Sequence, residues 1–226
     1  MIKIAHIRTS MPDKFGIPRQ SGRVEELKGD IIFEPDYRNP DAIRGIEEYD
    51  YLWLIWEFSE NVGKKASLTV RPPRLGGEEK RGVFATRSPF RPNPLGLSCV
   101  RLLSVEYGGT SGPILHVAGV DMTDKTPIYD IKPYIPYADS HPDARGGFGE
   151  EKKDYRLNVF IPEELREKLS DEENMTITAL LAEDPRPAYQ KDPERIYGMF
   201  FKDRNIKFKV DGDVLTVVGM EIVNHL

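Results

Sequence analysis

The sequence predicts a mainly β protein with α+β character: an antiparallel β-barrel or sandwich, followed by a small α+β domain. Three observations carry this. Short aromatic and β-branched runs succeed one another through the first 137 residues, with one helix pattern among them. No strand pattern runs into a Gly-x-Gly helix start, so the usual dinucleotide-binding α/β platform is absent. From His141 to Asp154 the chain turns polar, charged and Gly-rich, which reads as a flexible linker joining a domain at 1–140 to a second at 155–226. At 226 residues and 39% apolar content the chain can fill a core.

In order, Ile2 to Arg8 alternates as an opening strand and leaves through the turn Thr9–Asp13. Lys14 to Arg23 is a loop punctuated by Gly and Pro, with Arg19 and Gln20 beside Pro18. Gly29-Asp30 turns into a short strand at Ile31–Phe33. Asn39-Pro40 has the form of an N-cap with proline at the first helical position. Ala42, Ile43 and Ile46 then share one face, which predicts a helix of about two to three turns. Tyr51 to Phe58 is the most apolar run and reads as a buried strand, with Trp53 and Trp56 in the core or at a subunit interface. Ala66 to Val70 reads as a strand ending in the stiff loop Arg71–Gly77, which carries Arg71 and Arg74.

Val83 to Ala85 reads as a strand arriving at Thr86, and Leu97 to Leu102 as one leaving. Gly108 to Pro113 is a hairpin connection; its glycines make no phosphate loop, because no helix follows. Ile114 to Val120 is a strand leading into Asp121–Ser140, where Asp121, Asp124 and Asp130 lie close together among tyrosines and prolines. That segment is either an extended arm tied to the sheet or part of a binding site. Beyond the linker come a strand at Tyr155–Phe160 and a helix at Pro162–Leu169 with Leu165 and Leu169 on one face. An apolar stretch at Met175–Ala182 and a three-stranded meander at 196–201, 206–210 and 215–223 follow.

Composition excludes several functions. No apolar run approaches membrane-spanning length and no leader precedes the first strand, so a soluble, unexported protein is expected. The single Cys99 excludes an internal disulfide, and the four histidines have no partners at metal-ligand spacing, so no metal is expected. Net charge is −5, against a generic polyanion binder, yet residues 71–101 carry a local +5. Such a patch suits selective binding of a phosphorylated or nucleic-acid ligand; it is equally a clustered, solvated surface by count alone.

The stretch around which the chain is organised is Gly82 to Leu102. Pro89, Pro92 and Pro94 each fix φ and push the preceding residue to an extended conformation, so the segment is neither helix nor central strand. A loop stiffened three times loses little entropy on binding. It presents Arg87, Ser88, Arg91 and Asn93, groups suited to phosphate, carboxylate or base edges.

The run Gly82-Val83-Phe84-Ala85-Thr86-Arg87-Ser88-Pro89-Phe90-Arg91-Pro92-Asn93-Pro94-Leu95-Gly96 resembles the signature of the TsaA-like family. Its bacterial members include S-adenosylmethionine-dependent enzymes that methylate N6 of a threonylcarbamoyl-modified adenosine beside the tRNA anticodon. The likeness covers nearly the whole chain and is strongest at Phe15–Ser140 and Asp184–Tyr189. It implies a single-sheeted antiparallel β-barrel that pairs into a cytoplasmic homodimer. It further implies S-adenosyl-L-methionine as cofactor near the barrel loops and subunit boundary, the tRNA anticodon loop as partner, and a C-terminal module that holds tRNA.

The resemblance also assigns residues. Pro18, Arg19 and Gln20 match the early cofactor-contacting tripeptide, and Arg87 and Leu97 match contacts flanking the central loop. Asp124, Lys125, Thr126 and Pro127 match the family's Asp-Gly-Thr-Pro stretch, with lysine standing where the family has glycine. A backbone there with φ > 0 costs about 1 kcal/mol or more. Ser59 and Glu60 stand where a related type has a His-containing pair. For the reaction, Asp124 or Asp130 is the expected proton acceptor, since the urea-like nitrogen is a poor nucleophile until deprotonated. Arg87 and Arg91 would steady a carboxylate or phosphate, and Tyr134 or Tyr137 would stack on the base. Arg71, Arg74, Asn93, Arg186 and Tyr189 are the remaining expected RNA contacts. A non-catalytic RNA-binding barrel, and a methyltransferase with another acceptor, are the alternatives.

Overall fold

The computed structural model describes residues 1–72, 79–150, 153–187, 190 and 192–223; the expected RNA contacts Arg74 and Tyr189 lie outside these. Period-2 alternation builds the first domain. Strand β3 (Tyr51–Glu57) buries Leu52, Leu54 and Trp56 and turns Trp53 and Ile55 outward, and β1 (Ala5–Thr9) buries Ala5 and Ile7 in the same way. With β2 (Lys28–Phe33), β6 (Leu95–Glu106), β7 (Ile114–Ala118) and β8 (Pro127–Pro133), they form a closed barrel in the order β1-β2-β7-β6-β3-β8, every pairing antiparallel. Between β3 and β6, a two-stranded ribbon of β4 (Thr69–Val70) and β5 (Arg81–Gly82) stands apart from the barrel.

Closure depends on a short seam. Only Ala5 with Ile128 and His6 with Pro127 pair between β1 and β8. The seam is prolonged by Ile7 N–H donating to Thr126 O (3.1 Å) and Lys125 N–H donating to Ile7 O (2.8 Å). Asp124 completes it: its carboxylate accepts from Thr9 N–H at 3.0 Å, while its own N–H donates to Met11 O at 2.8 Å. The connection must turn sharply to do this, and Lys125 takes φ 63°. This is the left-handed conformation that the glycine of the family pattern adopts freely.

Several elements differ from expectation. The helix expected after Asn39 is two 3₁₀ turns, Pro40–Ile43 and Ile46–Glu48. Asn39 does cap the first, accepting from Asp41 N–H, but Gly45 at φ 85° breaks the run. Val83–Ala85 is a 3₁₀ turn instead of a strand, closed by the Thr86 N–H and hydroxyl on Val83 O. The strand expected over 66–70 shrinks to β4. The segment after Asp121 is no peripheral arm, because β8 within it is a full barrel strand.

The second domain is a sheet in the order β10-β11-β12-β9, formed by β9 (Asn158–Phe160), β10 (Tyr197–Phe201), β11 (Arg204–Asp211) and β12 (Val214–Ile222). The short helix α2 covers Glu163–Arg166, following α1 (Pro136–Asp139) in the first domain. The apolar stretch ending at Ala182 belongs to helix α3 (Asp171–Ala182), which buries Ile177, Leu180 and Leu181. Its start was legible as Ser170-x-x-Glu173, a capping box with both reciprocal hydrogen bonds present (3.2 and 3.1 Å). Among the described residues no helix is long and apolar enough to cross a membrane.

The second domain docks on the connection between β1 and β2. Phe15 stacks on Phe208 at 6.4 Å, Lys202 N–H donates to Ser10 O, and Gly16 lies so close to Met199 that a Cβ there would come within 2.4 Å of its sulfur. The buried Glu183 carboxylate sits between Arg23 of the connection (3.1 Å) and Arg156 (2.7 Å), one cation from each domain. One continuous apolar cluster runs from the barrel core through Met11, Val24 and Leu27 into Leu180, Met199 and Phe208.

The seam makes two opposite predictions for adjacent residues. Asp124→Ala should lower the unfolding free energy by about 1–3 kcal/mol, since a charged acceptor of a backbone N–H is lost. Lys125→Gly should raise it by up to about 1 kcal/mol as left-handed strain is relieved. Urea titration of the two variants beside the wild type measures both.

Candidate active site

In the closed barrel, antiparallel order brings three connections to one end: β1 to β2, β3 to β6, and β7 to β8. The charged loops singled out in the sequence therefore converge. A cavity of about 730 Å3 opens at this mouth. Pro18, Arg19 and Gln20 enter it from the first connection, Ser59, Glu60, Arg87, Arg91 and Asn93 from the second, and Asp121, Thr123 and Thr126 from the third.

Its floor follows from one glycine. Gly96 pairs with Trp56 across β3 and β6, and a Cβ at Gly96 would lie 2.1 Å from the indole, so only glycine lets the ring lie flat over β6. Trp56 packs on Phe58 with ring centroids 4.3 Å apart. The indole N–H donates to Ser98 Oγ at 2.8 Å, and Ser98 Oγ donates to Asp121 Oδ1 at 2.6 Å. This chain ends on a carboxylate facing the cavity. Burial pushes the Asp121 carboxyl up from 3.8 to about 6, against the opposing pull of the Ser98 hydrogen bond, backbone N–H groups and the Arg87 charge.

The rim is cationic and braced. Arg87 donates to the side-chain oxygen of Gln20, whose amide in turn donates to Arg19 O, so two connections are tied across the mouth. Arg91 donates to Thr86 O (2.9 Å) and Ser88 O (3.3 Å) and lies over the Phe84 ring at 5.9 Å. Phe84 is 75% exposed and Leu97 56% exposed, so the rim also presents apolar surface. On the opposite wall Lys14 pairs with Glu60 at 3.0 Å.

This architecture has close counterparts. Residues 6–140 match the family described as the tRNA-methyltransferase O N-terminal domain, and residues 154–223 match the TrmO C-terminal domain. The chain belongs to the TrmO family. A relative from Escherichia coli K12, the tRNA (adenine(37)-N6)-methyltransferase, is 37% identical over 97% of this chain and 96% of its own length. A putative S-adenosylmethionine-dependent methyltransferase of Pseudomonas aeruginosa is 39% identical over 90% of this chain and 89% of its own. The crystal structure of TrmO from Pseudomonas aeruginosa superposes with a TM-score of 0.76 at 31% identity, covering 97% of each chain.

Measured against the TrmO pattern, the expected residues divide. Pro18, Arg19, Gln20, Ser59, Glu60, Arg87, Leu97, Thr126, Arg91 and Asn93 all line the cavity. Asp124, Lys125 and Pro127 do not; Asp124 and Lys125 form the barrel seam, and Pro127 pairs with His6 in β8. Asp130 also lies off the cavity lining, its carboxylate accepting from Ile131 N–H and pairing with Lys132 at 3.0 Å. Tyr134 is outside the lining but 5.9 Å from Trp53, which belongs to it; Tyr137 is 91% exposed, and Arg71 is exposed away from the cavity.

Arg186, an expected RNA contact, is paired within its own turn. Its guanidinium grips the Asp184 carboxylate in two bonds of 2.8 and 3.0 Å, and the side chains are only 10% and 14% exposed. Asp121 stands in the acidic cluster with Asp124 and Asp130, and the path of the chain from β7 into β8 makes it the one of the three that lines the cavity. Among the described residues no group of three or more metal-ligating side chains occurs.

The Asp121 environment has a readable consequence. The folded state holds this proton more tightly than the unfolded chain, so stability falls as pH rises from about 4 to about 6 and stays lowered above that. Asp121→Asn cannot ionise. It should melt higher than wild type at neutral pH and lose that advantage near pH 4 (the unfolded carboxyl titrates at about 3.9); thermal unfolding across the range is the measurement, and parallel curves would refute the assignment.

Proposed function

We propose that this chain transfers a methyl group from S-adenosyl-L-methionine to N6 of threonylcarbamoyl-adenosine in the tRNA anticodon loop. The observation that supports this most is the convergence of Arg19, Gln20 and Arg87 around the half-buried Asp121 in a single cavity, in a member of this family. The lining fits such a cofactor: cations for its carboxylate, aromatic faces at Trp56, Phe58 and Phe84 for its base, and a carboxylate to oppose its positive charge. Bound there, it supplies an electrophilic methyl group.

The protein's own residues then position and manage charge. Arg87 and Arg19 orient the cofactor's carboxylate. Asp121, in place of Asp124 or Asp130, accepts the proton of the urea-like nitrogen on a carboxylate oxygen. A carboxyl titrating near 6 is matched to that task at neutral pH. Ser98 and Trp56 hold the carboxylate in place through their hydrogen-bonded chain. Arg91, Asn93, Arg71 and Tyr137 face the RNA, with residues 1–140 as the catalytic unit, 141–154 as linker and 155–226 assisting tRNA binding.

The protein acts as a cytoplasmic homodimer, its partner covering the rim around Phe84 and Leu97, whose exposure supports the reading. A purely RNA-binding barrel would have no use for a half-buried carboxylate set inside an arginine-rimmed cavity, which favours catalysis. Calorimetry should detect S-adenosylmethionine binding without RNA; a flat titration would refute the enzyme reading. Arg87→Ala should lower the methyl-transfer rate on threonylcarbamoylated tRNA by about 100-fold or more with an unchanged melting temperature. A wild-type rate would remove Arg87 from the site.

A further inference from the structure

The cavity rim is tied to a motif of the second domain. Arg19, exposed at the mouth, donates from Nη2 to the backbone oxygen of Asp184 at 3.1 Å. Asp184 stands just past the end of α3 with φ 51°, a left-handed conformation that a non-glycine residue holds only when its surroundings impose it. The surroundings are visible. Arg186 clasps both carboxylate oxygens, the Arg186 N–H approaches Oδ1 at 3.3 Å, and Tyr155 OH donates to Oδ2 at 3.3 Å. The Asp184 carbonyl is thereby aimed at Arg19. From Arg19 the contacts continue through Gln20 to Arg87.

We propose that Arg186 is a positioning residue of the cavity: by locking Asp184 it sets Arg19, and through Gln20 it sets Arg87, so the second domain shapes the cofactor-binding rim. Resting on the reading of the cavity as an S-adenosylmethionine site, this assigns the Asp184-Pro185-Arg186 segment to cofactor affinity instead of direct RNA contact. The geometry supports it from both ends. The guanidinium of Arg186 is enclosed and doubly paired. The connection that bears Arg19 is held to the same domain independently, through Arg23 on Glu183 and Phe15 on Phe208. Movement of the Asp184 turn is therefore carried to Arg19 and not absorbed by sliding between domains.

The test uses the full-length protein. Arg186→Ala should weaken S-adenosylmethionine binding about 10-fold by calorimetry without RNA, while the Kd for tRNA stays within about 2-fold. In an Arg19→Ala background the same change should have no further effect on cofactor affinity. Asp184→Asn tolerates the left-handed backbone and keeps one acceptor, so it should fold and show a smaller loss of the same kind. Unchanged cofactor affinity with weakened tRNA binding would overturn the proposal and restore Arg186 to RNA contact. Amide hydrogen exchange over residues 16–22 reads the relay with no ligand present. Faster exchange in Arg186→Ala and Asp184→Asn supports it, and unchanged exchange in both overturns it. A wild-type chain that binds no S-adenosylmethionine would sink the functional reading and leave the exchange result to judge the relay.

Discussion

The short seam between β1 and β8 is the constraint on which the rest of the molecule depends. Closing a sheet removes its edges, and here the closing pairs are few. The turn at 123–126 makes up the deficit by bonding to Ile7, Thr9 and Met11. Once the barrel is closed, antiparallel order brings three connections to one mouth. The cavity is a consequence of that count, because loops far apart in the chain have nowhere else to emerge.

The β1–β2 connection serves two masters. Its inner side presents Arg19 and Gln20 to the cavity, while its outer side carries Phe15, Gly16 and Arg23 into the second domain. A loop of this length with no strand of its own is entropically costly to hold still. Packing it between two sheets, with Met11, Val24 and Leu27 buried and Glu183 clamped by cations from both sides, is how this protein holds it. The polar floor is built on the same economy: Trp56, Ser98 and Asp121 satisfy one another, so a titratable carboxyl can remain at the foot of an apolar wall.

Much of this was legible in advance, and the failures have specific causes. Aromatic and β-branched runs at Tyr51–Phe58 and Ile114–Val120 announced barrel strands, since such side chains pack well on a pleated sheet. Proline spacing over 89–94 announced a stiff loop. Lys125 marked a left-handed backbone because a family glycine was displaced there, and φ 63° is what the structure has. Conversely, the helix after Pro40 failed because Gly45 outweighed the apolar spacing, and α3 went unassigned although Ser170-x-x-Glu173 marked its start. Of three neighbouring acids, Asp121 lines the cavity and Asp124 and Asp130 do not, because proximity in sequence carries no information about which face of a closing turn each carboxylate takes.

By itself, then, the chain's order of residues determined its β character, the stiffness and charge of its loops, and the family to which it belongs. These are local properties, written in periodicity, proline placement and short motifs. Tertiary structure alone decided that Asp121 faces the cavity while Asp124 latches the seam, and that Arg19 answers to the second domain. The Asp124 latch on Thr9 and the Arg19 bond to Asp184 join residues more than a hundred positions apart, so no local pattern encodes them; the Arg186–Asp184 pair is local in sequence, and there the fold decides only that it is enclosed and placed against Arg19.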